Sequence, residues 1–265
     1  MINLGVKHFG KLWLRPEYRR YHAAKKKLKN TPRYTTTMTN ILGKEIELVD
    51  STSFLCMYEE IFERQIYKFK TDNHKPIIID GGANIGLSTI FFKQAYPSSS
   101  ITAFEPDVKV FQSLKKNINN FRFSDVNLVN KALWISETFL EFMSEGADAG
   151  RVLDVEPEVK KYQVPTVRLR DYLDRPVDFL KLDIEGAETK VIIDCQDLLF
   201  NVKNIFVEYH SFANQPQTLH TIINILNKAK YRIHIHHPIL SHQPFYERNI
   251  FMGMDMMLNI FAFRE

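Results

Sequence analysis

The sequence predicts an α/β fold: a mostly parallel sheet of seven strands, covered by helices on both faces, with an antiparallel edge strand. Three observations predict it. The apolar run Ile77-Ile78-Ile79 enters the turn Asp80-Gly81-Gly82-Ala83-Asn84-Ile85-Gly86, and a helical pattern follows at once; such a run, bounded by turn residues, suits a strand buried on both faces. Strand and helix patterns then alternate along the chain, as repeated strand–helix–strand units require. The last strand pattern, 256–263, follows the previous one with no helix between, which places it antiparallel at an edge.

Residues 1–52 read as a basic N-terminal extension and residues 53–265 as one domain. Within 1–30, Leu4, Val6, Phe9, Leu12, Trp13, Leu14, Tyr18, Tyr21 and Leu28 lie among lysines and arginines. They predict one or two amphipathic helices broken near Pro16. The favoured reading packs this element on the domain or on a second subunit, as in a homodimer, with its bases in water; the other docks it peripherally on a membrane surface. Residues 31–52 read as a small β-hairpin. Apolar positions Phe54, Tyr58, Ile61, Phe62, Ile66 and Phe69 predict a helix over 53–69 whose side chains roof a ligand site.

Beyond it, strands are expected at 76–80, 100–105, 126–132, 178–183, 203–209, 231–236 and 256–263, and helices at 87–95, 107–120, 187–199 and 216–229. Residues 136–172 interrupt the alternation. Phe139-Leu140-Glu141-Phe142 and Val164-Pro165-Thr166-Val167-Arg168-Leu169 flank Gly146-Ala147-Asp148-Ala149-Gly150-Arg151, which reads as a β-rich insertion with a glycine loop near the site.

At 265 residues the chain can bury one large core, or one core with a small appendage. No apolar stretch reaches membrane-spanning length, and the N-terminus lacks a signal peptide's apolar core and cleavage site. Two cysteines, Cys56 and Cys195, fit a reducing cytoplasm and read as buried apolar thiols. The net charge of +4 is uneven: residues 1–33 hold ten bases against one acid, Glu17, and carry +9, leaving −5 on the remainder. A mildly acidic body argues against a nucleic-acid groove over the site.

The turn itself narrows the ligand. Gly82 and Gly86 are four apart, with Asn84 where a dinucleotide fingerprint places its middle glycine. The Gly-Lys-Ser/Thr ending of a phosphate loop is absent. Asp80 at the strand end would repel a pyrophosphate but suits a ligand with an ammonium and a sulfonium, such as S-adenosylmethionine. The next strand, Ile101-Thr102-Ala103-Phe104, ends in Glu105-Pro106-Asp107. A carboxylate there, about twenty residues past the turn, can accept both hydroxyls of a ribose. Asp107 caps the following helix.

These strings, with Leu180-Lys181-Leu182-Asp183-Ile184-Glu185-Gly186-Ala187-Glu188, resemble the FkbM family over roughly residues 50–263. The resemblance implies a Rossmann-like class I methyltransferase, S-adenosylmethionine-dependent and mostly O-directed, acting on sugar hydroxyls of surface glycans or their precursors, or on secondary metabolites. A cytoplasmic enzyme acting on a glycan precursor is favoured, because the basic extension could hold it at the inner membrane surface. A cofactor-binding module without turnover is the alternative of a different class.

The cofactor site is then expected from Asp80, Gly81, Gly82, Ala83, Asn84, Gly86, Leu87, Ser88, Glu105, Pro106, Asn130, Ala132 and Asp183. His210 is the natural base, because an unperturbed imidazole titrates near neutrality. Asp183 or Glu185 orients it, holds the substrate hydroxyl, or acts as base itself. Glu208 and His210 share a strand face. Asp183, Glu185, Glu208 and His210 together could hold a divalent metal. The favoured alternative is that Asp183 and Glu208 only hydrogen-bond the cofactor or loop amides, since adjacency across strands is not visible in a sequence. His234, His236, His237 and His242 read as a polar edge face. No Asn/Asp-Pro-Pro-Tyr/Phe and no Pro-Cys follows the strand ending at 183, which argues against base-amino and cytosine-C5 chemistry.

Overall fold

The computed structural model describes residues 16–144, 160–239, 243–247 and 249–264. The glycine loop expected at Gly146–Arg151, the segment before Pro16 and His242 lie outside the described residues.

Helix α1 (Pro16–Lys29) begins at its proline, whose missing N–H costs nothing in a first turn. Strands β1 (Thr37–Thr39) and β2 (Ile46–Leu48) pair as an antiparallel hairpin. Helix α2 (Ser51–Tyr58) is capped by Asp50 and runs into a π-helical turn over Glu59–Glu63. The chain then alternates through β3 (Ile77–Gly81), α3 (Leu87–Ala95), β4 (Ser100–Phe104), α4 (Val108–Phe121) and β5 (Val126–Val129). Strands β6 (Ala132–Trp134), β7 (Phe139–Ser144) and β8 (Lys160–Arg168) follow, then β9 (Val177–Leu182), α5 (Glu188–Cys195), β10 (Val202–Phe212), α6 (Leu219–Lys228), β11 (Arg232–Ile239) and β12 (Met254–Phe263).

The main sheet has seven strands in the order β11-β12-β10-β9-β3-β4-β5. Strands β10, β9, β3, β4 and β5 are parallel to one another, and β12 runs antiparallel between β10 and β11, with β11 forming that edge of the sheet. Both faces are filled, and the strand pleat divides the core between them. Ile79, Leu180 and Val207 pack with Val191, Ile192, Ile222 and Leu226 on one side. Ile78, Phe179 and Phe206 pack with Phe54, Ile90, Phe92 and the hairpin residues Ile46 and Leu48 on the other. Among the described residues no helix is long and apolar enough to cross a membrane.

Four expectations need correction. The helix over 53–69 ends at Glu63: the π turn and the left-handed Gln65 (φ 55°) break it, so Ile66 and Phe69 pack from a loop. The strand over 126–132 divides, with β5 in the main sheet and β6 in a separate three-stranded sheet of order β6-β8-β7. Strand β10 continues past 209 to Phe212: its pairing with β9 stops at Val207, but β12 supports it as far as Phe212. Cys56 is exposed on α2, and only Cys195 is buried.

Candidate active site

The order of strands reverses between β3 and β9, and a ligand of an open α/β sheet lies at the carboxyl ends beside such a reversal. The glycine turn occupies that point. Gly82 has φ +75°, and a Cβ there would stand 1.8 Å from the Asp183 carbonyl oxygen. Gly86 has φ +95°, and its Cβ would meet Leu114 Cδ1 at 2.7 Å. Only glycine satisfies both the left-handed backbone and the close approach. Asn84 is also left-handed (φ 50°), and its Oδ1 accepts from the Ile85 amide at 2.6 Å.

The amides of this turn are used inside the protein. Those of Gly82 and Ala83 donate to the Phe104 carbonyl at 3.0 and 2.8 Å, and that of Gly86 to Ala83 at 2.8 Å. The Asn84 amide donates to Glu105 Oε2 at 3.0 Å, while Glu105 Oε1 accepts from the Asp107 amide at 2.8 Å. Glu105 is thus fixed at the tip of β4 against the turn. Asn130, just past β5, donates to the carbonyls of Glu105 and Pro106 and holds the next loop in place.

Beneath the turn, Asp80 is fully buried. Its Oδ2 accepts from the hydroxyls of Ser88 and Thr89, both at 2.6 Å. Among the described residues its Oδ1 has no hydrogen-bond partner, and it lies 3.7 Å from Lys181 Nζ. A carboxylate so enclosed braces the turn rather than lying open to a ligand. Lys181, 2% exposed, donates to the carbonyls of Gly81 and Gly82 and to Asp183 Oδ2 at 3.1 Å. Burial alone would lower its pKa, but Asp183, Asp80 and, less strongly, Glu208 hold it above the ordinary lysine value. The segment over 59–67 feels the same negative field. Burial, then Asp183 and Glu208, raise Tyr67 well above the ordinary tyrosine value. Burial and Asp183, opposed by Arg64, raise Glu60 of the π turn.

Beyond the turn, Asp183, Glu185 and His210 offer side-chain ligand atoms that all lie within 4.8 Å of one another. Two consecutive left-handed residues, Glu185 (φ 55°) and Gly186 (φ 94°), turn the chain there. Glu185 Oε2 stands 3.7 Å from His210 Nε2. On the other side of the ring, Nδ1 is 3.1 Å from Glu188 Oε1, which also accepts from the amides of Ile184 and Gly186, each at 3.0 Å. Burial would lower the His210 pKa, but Glu188 and Glu185 first, then Glu208, raise it well above the ordinary value.

The residues expected from the sequence therefore fall into three places. Gly81, Gly82, Ala83, Asn84, Gly86 and Leu87 form the turn and the start of α3, with Asp80 and Ser88 beneath them. Glu105, Pro106, Asn130 and Ala132 line the adjoining tips of β4, β5 and β6. Asp183, Glu185 and His210 form a corner beyond β9, and Glu208 contributes to the field around both Lys181 and His210. The three described edge histidines, His234, His236 and His237, are exposed on β11. Two site residues escaped the sequence reading, Lys181 and Glu188. Both stand in the quoted Leu180–Glu188 string, but their partners lie on β3 and β10, and strand adjacency alone brings them together.

The comparisons with known proteins bear on the fold and the family. The family profile for the methyltransferase FkbM domain matches residues 80–233. Methyltransferase 1 of Beauveria bassiana is 28% identical over 193 residues, covering 63% of this chain and 78% of the relative. The 2-O-methyltransferase NoeI of Sinorhizobium fredii is 24% identical over 155 residues, 51% of this chain and 63% of the relative. The crystal structure of an FkbM methyltransferase from Methylobacillus flagellatus shares the fold, with TM-score 0.52 at 15% identity over 92% of this chain and 59% of that one. With the profile spanning more than half its length, from the glycine turn to the start of β11, this chain belongs to the FkbM family of methyltransferases.

Proposed function

We propose that this methyltransferase moves the methyl group of S-adenosylmethionine to a hydroxyl, most favourably that of a sugar in a surface glycan or its precursor. One observation carries the choice of donor. The amides of Gly82, Ala83, Asn84 and Gly86 are all satisfied within the protein, so the turn is no phosphate cradle, and carboxylates surround it instead. A turn whose own amides are taken up and whose neighbours carry surplus negative charge fits a cationic ligand. Glu105 would hold the ribose hydroxyls, since a carboxylate accepts more than the two amides it already binds. Asn84 and Asp183, both partly exposed beside the turn, would face the amino-acid end of the donor.

The donor supplies an electrophilic methyl group on a sulfonium. The protein's part is alignment and proton handling. The corner of Asp183 and Glu185 would hold the acceptor hydroxyl by hydrogen bonds to carboxylate oxygens. As the oxygen–carbon bond forms and the carbon–sulfur bond breaks, the electron pair stays on sulfur and the hydroxyl proton passes to a carboxylate oxygen. The 2-O-methyltransferase relative supports oxygen as the receiving atom.

The test has two parts. Calorimetry should show one S-adenosylmethionine bound per chain. A panel of nucleotide- and lipid-linked sugars, assayed with donor carrying a labelled methyl group, should give S-adenosylhomocysteine and a sugar heavier by one methyl. Donor binding with no transfer to any hydroxyl acceptor would overturn the enzyme reading and leave a binding module.

A further inference from the structure

We propose that Asp183, Glu185 and His210 bind a divalent metal cation beside the glycine turn, with Glu188 as the residue that positions the imidazole. Binding of the cation stands on geometry alone; its role in the reaction rests on the methyl-transfer reading above.

The three ligand atoms lie within 4.8 Å of one another. Around an octahedral ion with bonds of about 2.1–2.3 Å, ligand atoms stand about 3.0 Å apart when adjacent and about 4.6 Å when opposite. The 4.8 Å ceiling lies just above the opposite separation and the 3.7 Å pair lies between the two, so the three atoms already stand near one coordination sphere and an ion would draw them in. The 3.7 Å gap between His210 Nε2 and Glu185 Oε2 is beyond hydrogen-bond reach but within the span of two ligand–metal bonds.

The imidazole is held as metal-binding histidines are held. Its Nδ1 donates to Glu188, and Glu188 is fixed in turn by two backbone amides, so Nε2 is the nitrogen presented to Glu185. Asp183 is anchored through Oδ2 by Lys181. Exposure is graded across the group: the His210 side chain is 1% exposed, that of Asp183 22% and that of Glu185 50%. The site is closed on the imidazole side and open on the carboxylate side, which leaves coordination positions for water or an acceptor oxygen. Two carboxylates and one imidazole suit a hard or borderline dication such as Mg2+ or Mn2+. A cation at this corner would polarise the acceptor O–H and ease the passage of its proton to a carboxylate oxygen that the cation does not hold, as the oxygen takes the methyl group and the carbon–sulfur bond breaks.

The test uses the full chain, stripped with a chelator and titrated with Mn2+ while electron paramagnetic resonance follows the free ion, with neither donor nor acceptor present. One Mn2+ per chain is expected. Affinity should fall at least tenfold in Glu185→Gln, which alters a half-exposed side chain and keeps the fold, and in His210→Gln. It should fall about tenfold in Glu188→Gln, and stay unchanged in Glu45→Gln on the N-terminal hairpin. Absence of stoichiometric binding, or equal binding by Glu185→Gln and His210→Gln, overturns the site. Calorimetry of S-adenosylmethionine on the same stripped protein tests the donor reading separately. Donor binding without Mn2+ binding would remove the metal alone.

Discussion

The Glu188 carboxylate accepts a hydrogen bond from His210 Nδ1 at 3.1 Å, and both side chains are 1% exposed. The same carboxylate oxygen closes the Ile184–Gly186 turn, so one buried acid sets both the ring and the loop facing it. Glu188→Ala should cost about 2–3 kcal/mol, because it strands a buried imidazole and two part-buried amides. Urea unfolding measures this, and a loss below about 0.5 kcal/mol would contradict it. Glu188→Gln should leave donor affinity within about twofold and lower turnover about 10–100-fold.

Lys181 is the counter-ion of the turn. Replacing it with methionine leaves Asp80 buried without its cation, a loss of about 3–5 kcal/mol. Pairing Lys181→Met with Asp80→Asn should recover part of that loss. A double-mutant cycle should show a coupling of at least about 1 kcal/mol, whereas additive effects would mean that the 3.7 Å pair is not energetically linked.

Gly82→Ala combines a left-handed backbone with a Cβ placed 1.8 Å from a carbonyl oxygen. The strand tips of β3 and β9 must separate to admit it. Donor affinity should fall at least tenfold and stability by about 1–3 kcal/mol. Calorimetry and a thermal melt read the two effects, and normal donor binding by this variant would show that the turn does not shape the donor site.

Acid stability should depend on Asp50 and Asp178. Each is buried, which would raise its pKa, yet each is lowered below 3.8: Asp50 by the amides of Ser53 and Tyr34 and by Arg33, Asp178 by the Ile77 amide, Asn73 and Lys203. The folded state therefore binds fewer protons than the unfolded one. The stability these groups contribute is present above pH of about 4 and is lost as pH falls through their depressed folded values. Asp178→Asn should be about 1.5–3 kcal/mol less stable at neutral pH, with a shallower acid limb in urea titrations between pH 3 and 7. An unchanged limb would assign the acid sensitivity elsewhere.

The legible parts of this protein were those where one residue type has few alternatives. Gly82 and Gly86 announce a left-handed turn, and Glu105 sits at the spacing that strand–helix–strand geometry sets. Local pattern failed where tertiary contacts decide. Val126–Ala132 reads as one strand because nothing in it breaks the pattern, but Asn130 leaves the sheet to bond the Glu105 and Pro106 carbonyls. Apolar spacing continues to Phe69, but the π turn and Gln65 end the helix at Glu63. Lys181 and Glu188 acquire meaning only from neighbours on β3 and β10, which lie far away in the chain.

The contact of Gly82 with the Asp183 carbonyl means that the proposed donor pocket and the proposed acceptor corner share a single wall of backbone. Neither can be reshaped without disturbing the other, so the chemical centre is inherited as one block. A change of acceptor must then be written outside that block, in the segment over 59–67, the small β6-β8-β7 sheet or the link between β11 and β12. An engineer seeking a new acceptor for this enzyme would exchange those parts and leave the wall untouched.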